Sequence, residues 1–206
     1  MTQPMAPWLA RAPLILASQS KVRRALLTAA GIPVETDPAD VDERALEAKA
    51  QLQAAGAVAA LLAREKAIVV ARRHGGGLTL GADQTLSLGS ERLTKPHDRD
   101  GARAQLHALR GRTHELRSAI AFVQHGAVLF EHVGVARLTM RDFSQQFLES
   151  YLDAAGASVT ASVGAYQIEG LGLQLFERVE GDYFTVLGLP LLHALDFLRR
   201  VGCLAQ

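Results

Sequence analysis

The chain has a set of separated polar side chains in local settings that are unusual for their types. They are Ser18, Arg23, Arg24, Glu43, Lys66, Asp83, Gln84, Lys95 and Glu169. Lysine and arginine side chains neutralise phosphate oxygens, and carboxylates bind a hard divalent cation through oxygen. A carboxylate or a bound metal can also activate water for attack on phosphorus. Together these residue types predict a site for a polyphosphate and a divalent metal.

Two adjacent polar residues, Asp83 and Gln84, interrupt the apolar stretch Leu78–Leu88, which predicts a β-strand. Burying a carboxylate and an amide costs free energy unless each has a partner. A ligand or a metal could be that partner, and so could a neighbouring lysine. Because the two side chains lie on opposite faces of the strand, we interpret them as functional.

The stretch Leu14–Ala30 predicts a buried strand that runs into a helix through the hydroxyl-rich turn Ser18–Ser20. Free N–H groups and the positive end of the helix dipole favour an anion at such a helix start. Arg23 and Arg24 add two cations whose geometry suits phosphate oxygens. The alternative interpretation is an ordinary capped helix with two solvated arginines. Lys66 could likewise be a solvated helix lysine.

The composition is typical of a soluble globular protein with one elaborated domain or two closely joined lobes. The 206 residues are 49% hydrophobic and 21% charged, and the formal net charge of +1 argues against a nucleic-acid-binding surface. The single cysteine, Cys203, cannot form an internal disulfide and favours a reducing compartment. No apolar run approaches the ~20 residues of a membrane span. We therefore expect a cytoplasmic protein without a membrane segment.

The order of the predicted elements indicates the fold class. Strand and helix patterns alternate in the first part of the chain, and a hairpin follows in the middle. This order predicts an α/β protein with a curved, mixed sheet flanked by helices. The local signals are a helix break at Gly56, an Asp98 cap for a helix over 99–109, a hairpin turn at His125-Gly126, a Ser144 cap, a strand over Leu173–Arg178 and a helix opened by Pro190.

The standard motifs for nucleotide binding, zinc binding and serine nucleophiles are absent from the sequence. The seven histidines are scattered without the spacing of metal ligands, and we interpret His114 and His193 as structural. The predicted site therefore depends on separated residues and not on one local motif.

The opening stretch LILASQSKVRRALL resembles the signature of the Maf family of nucleoside triphosphate pyrophosphatases. Further blocks follow in the family's order, from about Leu14 to Leu195. They are LAREKA around Lys66, GADQTLSL around Asp83, Lys95-Pro96, LRGRTHEL, GAYQIEGLG and GDYFTVLGLPL. The resemblance implies one Maf-like domain over residues 1–206, with residues 1–13 as a loose extension. It also implies a Maf/inosine triphosphatase-like fold with two lobes around a central cleft.

The same resemblance implies an enzyme that cleaves nucleoside triphosphates between the α- and β-phosphates with Mg²⁺, Mn²⁺ or Co²⁺. Homodimers are common among such proteins. Asp83 resembles the family's catalytic acid, as a water-activating base or a metal-anchoring carboxylate, and Glu43 in VDER could share the metal with it. The residues that resemble the phosphate clamp are Arg24, Lys66 and Lys95, with Ser18 and Arg23 at its edge.

Three positions bear on the base of the nucleotide. With Gln84, which directly follows Asp83, and Glu169 in GAYQIEGLG, this chain resembles the subgroup that acts on 7-methyl-GTP. Members of the family that favour dTTP and UTP have glutamine at the position of Glu169. A carboxylate accepts hydrogen bonds from the N–H donors of a guanine edge. That subgroup tends to have an aromatic residue where this chain has Val22, and an aromatic ring stacks better on a cationic base. We predict a purine or modified-purine triphosphate.

A second hypothesis comes from a different class of protein. The chain could be a nucleotide-binding regulator of septum formation or cell division that keeps the fold without catalysis. The presence of Glu43, Lys66, Asp83 and Lys95 favours the enzyme, because binding alone does not require this set.

Overall fold

The computed structural model describes residues 7–206, which form seven β-strands, seven α-helices and three 3₁₀ turns. The strands are β1 (Leu14–Ala17), β2 (Val34–Thr36), β3 (Thr79–Leu88), β4 (Glu91–Leu93), β5 (Thr113–Gln124), β6 (Ala127–Met140) and β7 (Phe176–Glu180). The helices are α1 (Lys21–Ala29), α2 (Glu43–Ala50), α3 (Ala55–Ala71), α4 (Arg99–Leu109), α5 (Gln145–Ala155), α6 (Tyr183–Val186) and α7 (Leu191–Arg200). The 3₁₀ turns are Gly156–Thr160, Val163–Ala165 and Leu171–Leu175.

All seven strands belong to one mixed sheet in the order β2-β1-β3-β5-β6-β7, with β4 paired to β3 outside this path. Strand β1 is parallel to β2 and β3, whereas β4, β5, β6 and β7 pair antiparallel with their neighbours. The predicted α/β class with a mixed sheet is confirmed. Within the described residues, no helix is long and apolar enough to cross a membrane.

One face of β3 is covered by α3 through small side chains. Ala59, Ala63 and Ala67 of α3 pack against Ala119 and Ala121 of β5. A methyl group added at Gly81 of β3 would lie only 2.0 Å from the carbonyl oxygen of Ala63. The alanine-rich composition of this helix therefore allows its backbone to lie directly on the sheet.

The opposite face of the sheet is covered by two separate hydrophobic clusters. One joins β1 and the first half of β3 to α1 and α7, and it includes Leu16, Leu80 and Phe197. The other joins the second half of β3 to α4 and α5, and it includes Leu86 and Leu148. The centre of β3 therefore lies at the junction of the two clusters.

Most of the local sequence signals are confirmed at the residue level. Asp98 caps α4 by accepting a hydrogen bond from the Gly101 N–H, and Ser144 caps α5 through the Phe147 N–H. The predicted helix break at Gly56 is wrong. Gly56 lies inside α3, and the chain instead turns at Gln51, which has a positive φ of 52°.

The end of the chain differs in part from the prediction. The strand predicted over Leu173–Arg178 begins only at Phe176, because Leu171–Leu175 forms a 3₁₀ turn. Pro190 was predicted to open α7 as its first residue, and it lies one residue earlier, in the N-cap position.

The first segment of the described chain pairs with the last one. Leu9 donates to the Cys203 carbonyl, Ala205 donates to the Pro7 carbonyl, and Trp8 forms a β-bridge with Leu204. Of the extension predicted over residues 1–13, residues 1–6 lie outside the described part. The segment that follows them is tied to the C-terminal segment by these backbone hydrogen bonds.

His114 has a structural environment, in agreement with its interpretation from the sequence. It is 1% exposed, and its Nε2 lies 2.7 Å from the Tyr166 hydroxyl oxygen. Within residues 7–206, its Nδ1 has no hydrogen-bond partner. Burial lowers the pKa of His114 from 6.5 to about 4, because the charged imidazolium would lose its hydration.

We expect His114 to make the fold sensitive to acid. Between pH 6.5 and about 4 the unfolded chain binds a proton at this imidazole and the folded chain does not. The free energy of unfolding should therefore fall by up to about 1.4 kcal/mol for each pH unit, or about 3 kcal/mol in total. Urea unfolding at a series of pH values measures this slope. His114→Phe should show a shallower slope over the same range, and an equal slope in the variant would contradict the assignment.

Candidate active site

Five of the predicted site residues, Ser18, Arg23, Glu43, Lys66 and Asp83, lie at an interruption in the edge of strand β3. Strand β1 pairs with β3 from Thr79 to Gly81, and β4 pairs with it from Leu86 to Leu88. Both lie on the same edge, because β5 occupies the other edge along nearly all of β3. Residues 82–85 therefore have no strand neighbour on this edge within the described residues. The carboxyl end of β1 opens at this gap, in the type of crevice where α/β sheets bind ligands.

Asp83 projects from the gap toward α3 and binds Lys66. The Lys66 ammonium donates to Asp83 Oδ1 at 2.6 Å and lies 2.7 Å from Glu43 Oε1. Asp83 is buried. Within residues 7–206 its carboxylate accepts one hydrogen bond, from Lys66 to Oδ1, so Oδ2 has no partner there. Burial raises the pKa of the Asp83 carboxyl above its ordinary value, and the nearby charge of Lys66 opposes that shift.

Lys66 reaches Asp83 because α3 lies so close to the sheet. Gly81 and Asp83 are on the same face of β3, two residues apart, as the alternation of a strand requires. The helix backbone rests on Gly81 at Ala63 and Ala67, and Lys66 lies between these two contacts in sequence. The alternative interpretation of Lys66 as a solvated lysine is wrong, since only 13% of its side chain is exposed.

Arg23 joins three segments around the gap. Its Nε donates to the Gly188 carbonyl at 2.8 Å, and its Nη1 donates to the Ala82 carbonyl at 2.8 Å and to Ser18 Oγ at 3.1 Å. Ala82 is one of the four residues without a strand neighbour, so Arg23 satisfies an open backbone acceptor there. Burial lowers the pKa of the guanidinium, whereas the charge of Asp83 opposes that shift.

The turn that follows β1 has the expected cap. Ser20 Oγ accepts a hydrogen bond from the Arg23 N–H, and Ser18 Oγ accepts one from the Ser20 N–H. These contacts fix the start of α1 beside the gap. Arg23 binds Ser18 and also the Ala82 carbonyl, directly before Asp83 in the chain. Through this backbone link, Ser18 and Arg23 form one connected group with Lys66, Asp83 and Glu43.

Gln84 projects to the opposite face, as predicted, and fills the junction between the two hydrophobic clusters. Its Nε2 donates to Ser118 Oγ at 3.0 Å and to the carbonyl groups of Thr185 and Val186 at 3.2 and 3.0 Å. Sequence reasoning missed Ser118 and Thr185 as its partners. Ser118 carried a signal, because it is a single hydroxyl directly before the apolar run of β5. The role of Gln84 in specificity stays a prediction.

A comparison of the sequence with known families gives one extended match. The profile of the family described as Maf-like protein matches residues 13–201. The chain belongs to the Maf-like family. This match covers the gap in β3 and every residue of the connected group around it.

Curated relatives of this Maf-like chain have nucleotide-related names. A protein of Rhodopseudomonas palustris, named nucleoside triphosphate pyrophosphatase, is 53% identical over 98% of this chain and 100% of its own length. One of Nitrobacter winogradskyi with the same name is 55% identical over 95% and 96% of the two chains. A protein of Mesorhizobium japonicum, named 7-methyl-GTP pyrophosphatase, is 55% identical over 93% and 97%.

Among solved structures, the Maf-like fold is similar to a HAM1 protein from Coxiella burnetii. The TM-score is 0.50 over 91% of this chain and 96% of the other, with 16% sequence identity. At this identity the likeness concerns the fold alone. It supports the predicted α/β fold with a mixed sheet.

Four further residues predicted for the Maf-like site form no hydrogen bond or ion pair with the connected group around Asp83. Arg24, Lys95 and Glu169 are exposed, and Val22 is partly exposed. Across residues 7–206, none of the three charged side chains forms a hydrogen bond or an ion pair. Lys95 follows β4, whose last residue, Leu93, pairs with Leu86 of β3. The backbone of Lys95 therefore lies near the end of the gap that is opposite to β1. Their contacts with a ligand stay predictions.

The carboxylates predicted for a metal are adjacent but form only a pair. Glu43 and Asp83 both form an ion pair with the Lys66 ammonium. Within residues 7–206, no group of three or more His, Cys, Asp or Glu side chains is placed to hold a metal ion. Mg²⁺ is commonly bound by one or two carboxylates together with substrate phosphates and water. The donor set therefore fits a cation whose remaining ligands come from the substrate.

Proposed function

We propose that this Maf-like protein is a nucleoside triphosphate pyrophosphatase. It hydrolyses the anhydride between the α- and β-phosphates and releases the nucleoside monophosphate and pyrophosphate. The observation that supports this most directly is the Asp83–Lys66–Glu43 group at an open strand edge. The relatives named as nucleoside triphosphate pyrophosphatases, at 53% and 55% identity over nearly the whole chain, support the same activity.

In this mechanism Asp83 accepts the proton of the attacking water through Oδ2, the oxygen that Lys66 does not occupy. The water oxygen forms a bond to the α-phosphorus while the bond from that phosphorus to the bridging oxygen breaks. Pyrophosphate leaves with the bridging oxygen. The raised pKa of Asp83 suits a base that must hold this proton.

Lys66, Arg24 and Lys95 bind the phosphate oxygens, whose negative charge otherwise repels the attacking water. Ser18 and Arg23 hold the turn at the edge of this clamp. Glu43 and Asp83 fit a divalent cation, which when bound neutralises phosphate charge and lowers the pKa of water. We propose Mg²⁺, Mn²⁺ or Co²⁺ for this role.

We further propose a purine or modified-purine triphosphate as the substrate. Glu169 is exposed near the end of the segment that follows the Val163–Ala165 turn, where its carboxylate can accept hydrogen bonds from a guanine edge. The relative named 7-methyl-GTP pyrophosphatase supports this choice. Val22 offers less stacking surface than an aromatic residue, so the contribution of stacking should be small.

Exchange of Glu169 for glutamine should shift the substrate preference toward dTTP and UTP. The amide presents both a donor and an acceptor, which matches a pyrimidine edge better than a carboxylate does. We expect kcat/KM for UTP relative to GTP to rise about tenfold. The same ratio in Glu177→Gln, an exposed glutamate of β7, should stay at the wild-type value. An unchanged substrate ranking in Glu169→Gln would remove the role given to this residue.

The activity itself is tested by measuring pyrophosphate release from a panel of normal and modified triphosphates with Mg²⁺, Mn²⁺ or Co²⁺. Release of pyrophosphate together with the monophosphate is the expected result. Binding of triphosphates without turnover under every metal would instead support the nucleotide-binding regulator of septum formation. The homodimer and the cytoplasmic location stay predictions, which chromatography with light scattering and cell fractionation would test.

A further inference from the structure

Lys66 lies where the two carboxylates of the predicted metal pair converge. Its ammonium nitrogen is 2.6 Å from Asp83 Oδ1 and 2.7 Å from Glu43 Oε1, and 13% of its side chain is exposed. A divalent cation bound by the same two oxygens would lie against the ammonium group. Two positive charges at such a distance repel strongly, above all where water is largely excluded. The lysine and the metal therefore compete for one pair of carboxylates.

The two carboxylates differ in how firmly they are held. Asp83 lies on the central strand β3, and 12% of its side chain is exposed. Glu43 is the first residue of α2, a helix without a buried residue, and 48% of its side chain is exposed. An ion pair between Glu47 and Arg92 connects this helix to β4. The lysine thus has one fixed partner and one that can move away with little loss of packing.

We propose that Lys66 is an exchangeable counter-ion that couples metal binding to nucleotide binding. In the free protein its ammonium neutralises Asp83 and Glu43 and keeps the affinity for a free divalent cation low. When a triphosphate enters, the flexible side chain of Lys66 turns to the phosphate oxygens and releases the carboxylates to the cation. The two ligands then increase each other's affinity, as linkage requires. This inference rests on the proposed function, since it assumes a triphosphate at the gap.

The experiment measures Mn²⁺ binding by calorimetry and by the electron paramagnetic resonance signal of free Mn²⁺. Lys66→Met removes the ammonium and keeps much of the apolar stem. We expect it to bind free Mn²⁺ at least tenfold more tightly than the wild type. A triphosphate analogue with a non-hydrolysable α–β bridge should tighten Mn²⁺ binding at least tenfold in the wild type and much less in the variant.

Two further variants complete the test. Lys66→Gln keeps a hydrogen-bond donor for Asp83 without the charge, and it takes the place of the methionine variant if that protein does not fold. Lys49→Met, on α2 but outside the connected group, should bind Mn²⁺ like the wild type. Equal or weaker Mn²⁺ binding by the folded Lys66 variants would overturn the proposal.

The result is independent of the activity assay, because Mn²⁺ affinity is measured without turnover. A wild type that releases no pyrophosphate overturns the proposed function. Lys66 variants that gain no affinity for Mn²⁺, in a protein that does release pyrophosphate, overturn only the role of Lys66 as a counter-ion.

Discussion

The Asp83→Asn variant is expected to lose about 1,000-fold in kcat for pyrophosphate release. Asparagine has nearly the same shape, but its amide can neither accept the proton of the attacking water nor hold a cation as a carboxylate does. General-base catalysis alone contributes about 10²–10⁴-fold. The measurement is the rate of pyrophosphate release at saturating nucleotide and metal, together with the affinity for the nucleotide.

Asn at position 83 can still accept a hydrogen bond from Lys66, so the fold should be retained. Circular dichroism and the melting temperature check this. The exposed Asp153 provides a matched control, since Asp153→Asn makes the same chemical change far from the gap and should keep wild-type turnover. Asp83→Asn with a kcat within tenfold of the wild type would contradict the proposed role of this carboxylate.

The raised pKa of Asp83 also fixes the direction of the pH dependence. Catalysis requires the ionised carboxylate, so kcat/KM, which reports the pKa of groups in the free protein, should fall as the pH drops through this raised pKa. The fall should therefore begin at a higher pH than it would for an ordinary aspartate.

The second large effect is expected from Gly81→Ala. The added methyl carbon would lie 2.0 Å from the Ala63 carbonyl oxygen and 2.8 Å from the Ala67 backbone nitrogen. Neither atom belongs to a flexible side chain, so α3 would have to move away from the sheet. Overpacking of this kind costs about 3 kcal/mol. Because α3 positions Lys66, turnover should fall together with the free energy of unfolding.

Urea unfolding and the pyrophosphate assay give the two readouts for this variant. Gly101→Ala is the matched control, because its added methyl group would meet no atom closer than 3.4 Å and would lie in α4. Alanine favours a helix, so that control should be at least as stable as the wild type. A Gly81→Ala protein with wild-type stability and turnover would show that contact with the sheet does not position Lys66.

The sequence predicts local features of the fold well where a few neighbouring residues determine them. The Asp98 cap and the hairpin turn at His125-Gly126 are examples, since each depends on backbone geometry within a few residues. The helix break at Gly56 is misplaced because this glycine lies in the first turn of α3, where its missing side chain leaves room for the Arg117 side chain. The real break depends on Gln51 in a left-handed conformation, which its residue type does not favour.

The site was predicted as a set of residue types, and only part of its geometry could follow from the sequence. The alternation of a strand correctly separated Asp83 from Gln84 on two faces. The interruption between β1 and β4 could not be predicted, because it depends on which edge of β3 each strand joins. The hydrogen bond from Arg23 to the Gly188 carbonyl could not be predicted either, because it spans 165 positions of sequence. The place of Arg23 at the edge of the phosphate clamp stays a prediction.

The gap in β3 also bears on whether a strand of another molecule can pair with the sheet at this edge. An unpaired strand edge can recruit a strand from another molecule and start aggregation. Here the open stretch comprises residues 82–85, roughly 13 Å of strand, with β1 on one side and β4 on the other. A foreign strand cannot extend past either neighbour, and Arg23 already binds the Ala82 carbonyl. The gap is therefore long enough for a small ligand but too short to pair with a strand of another polypeptide.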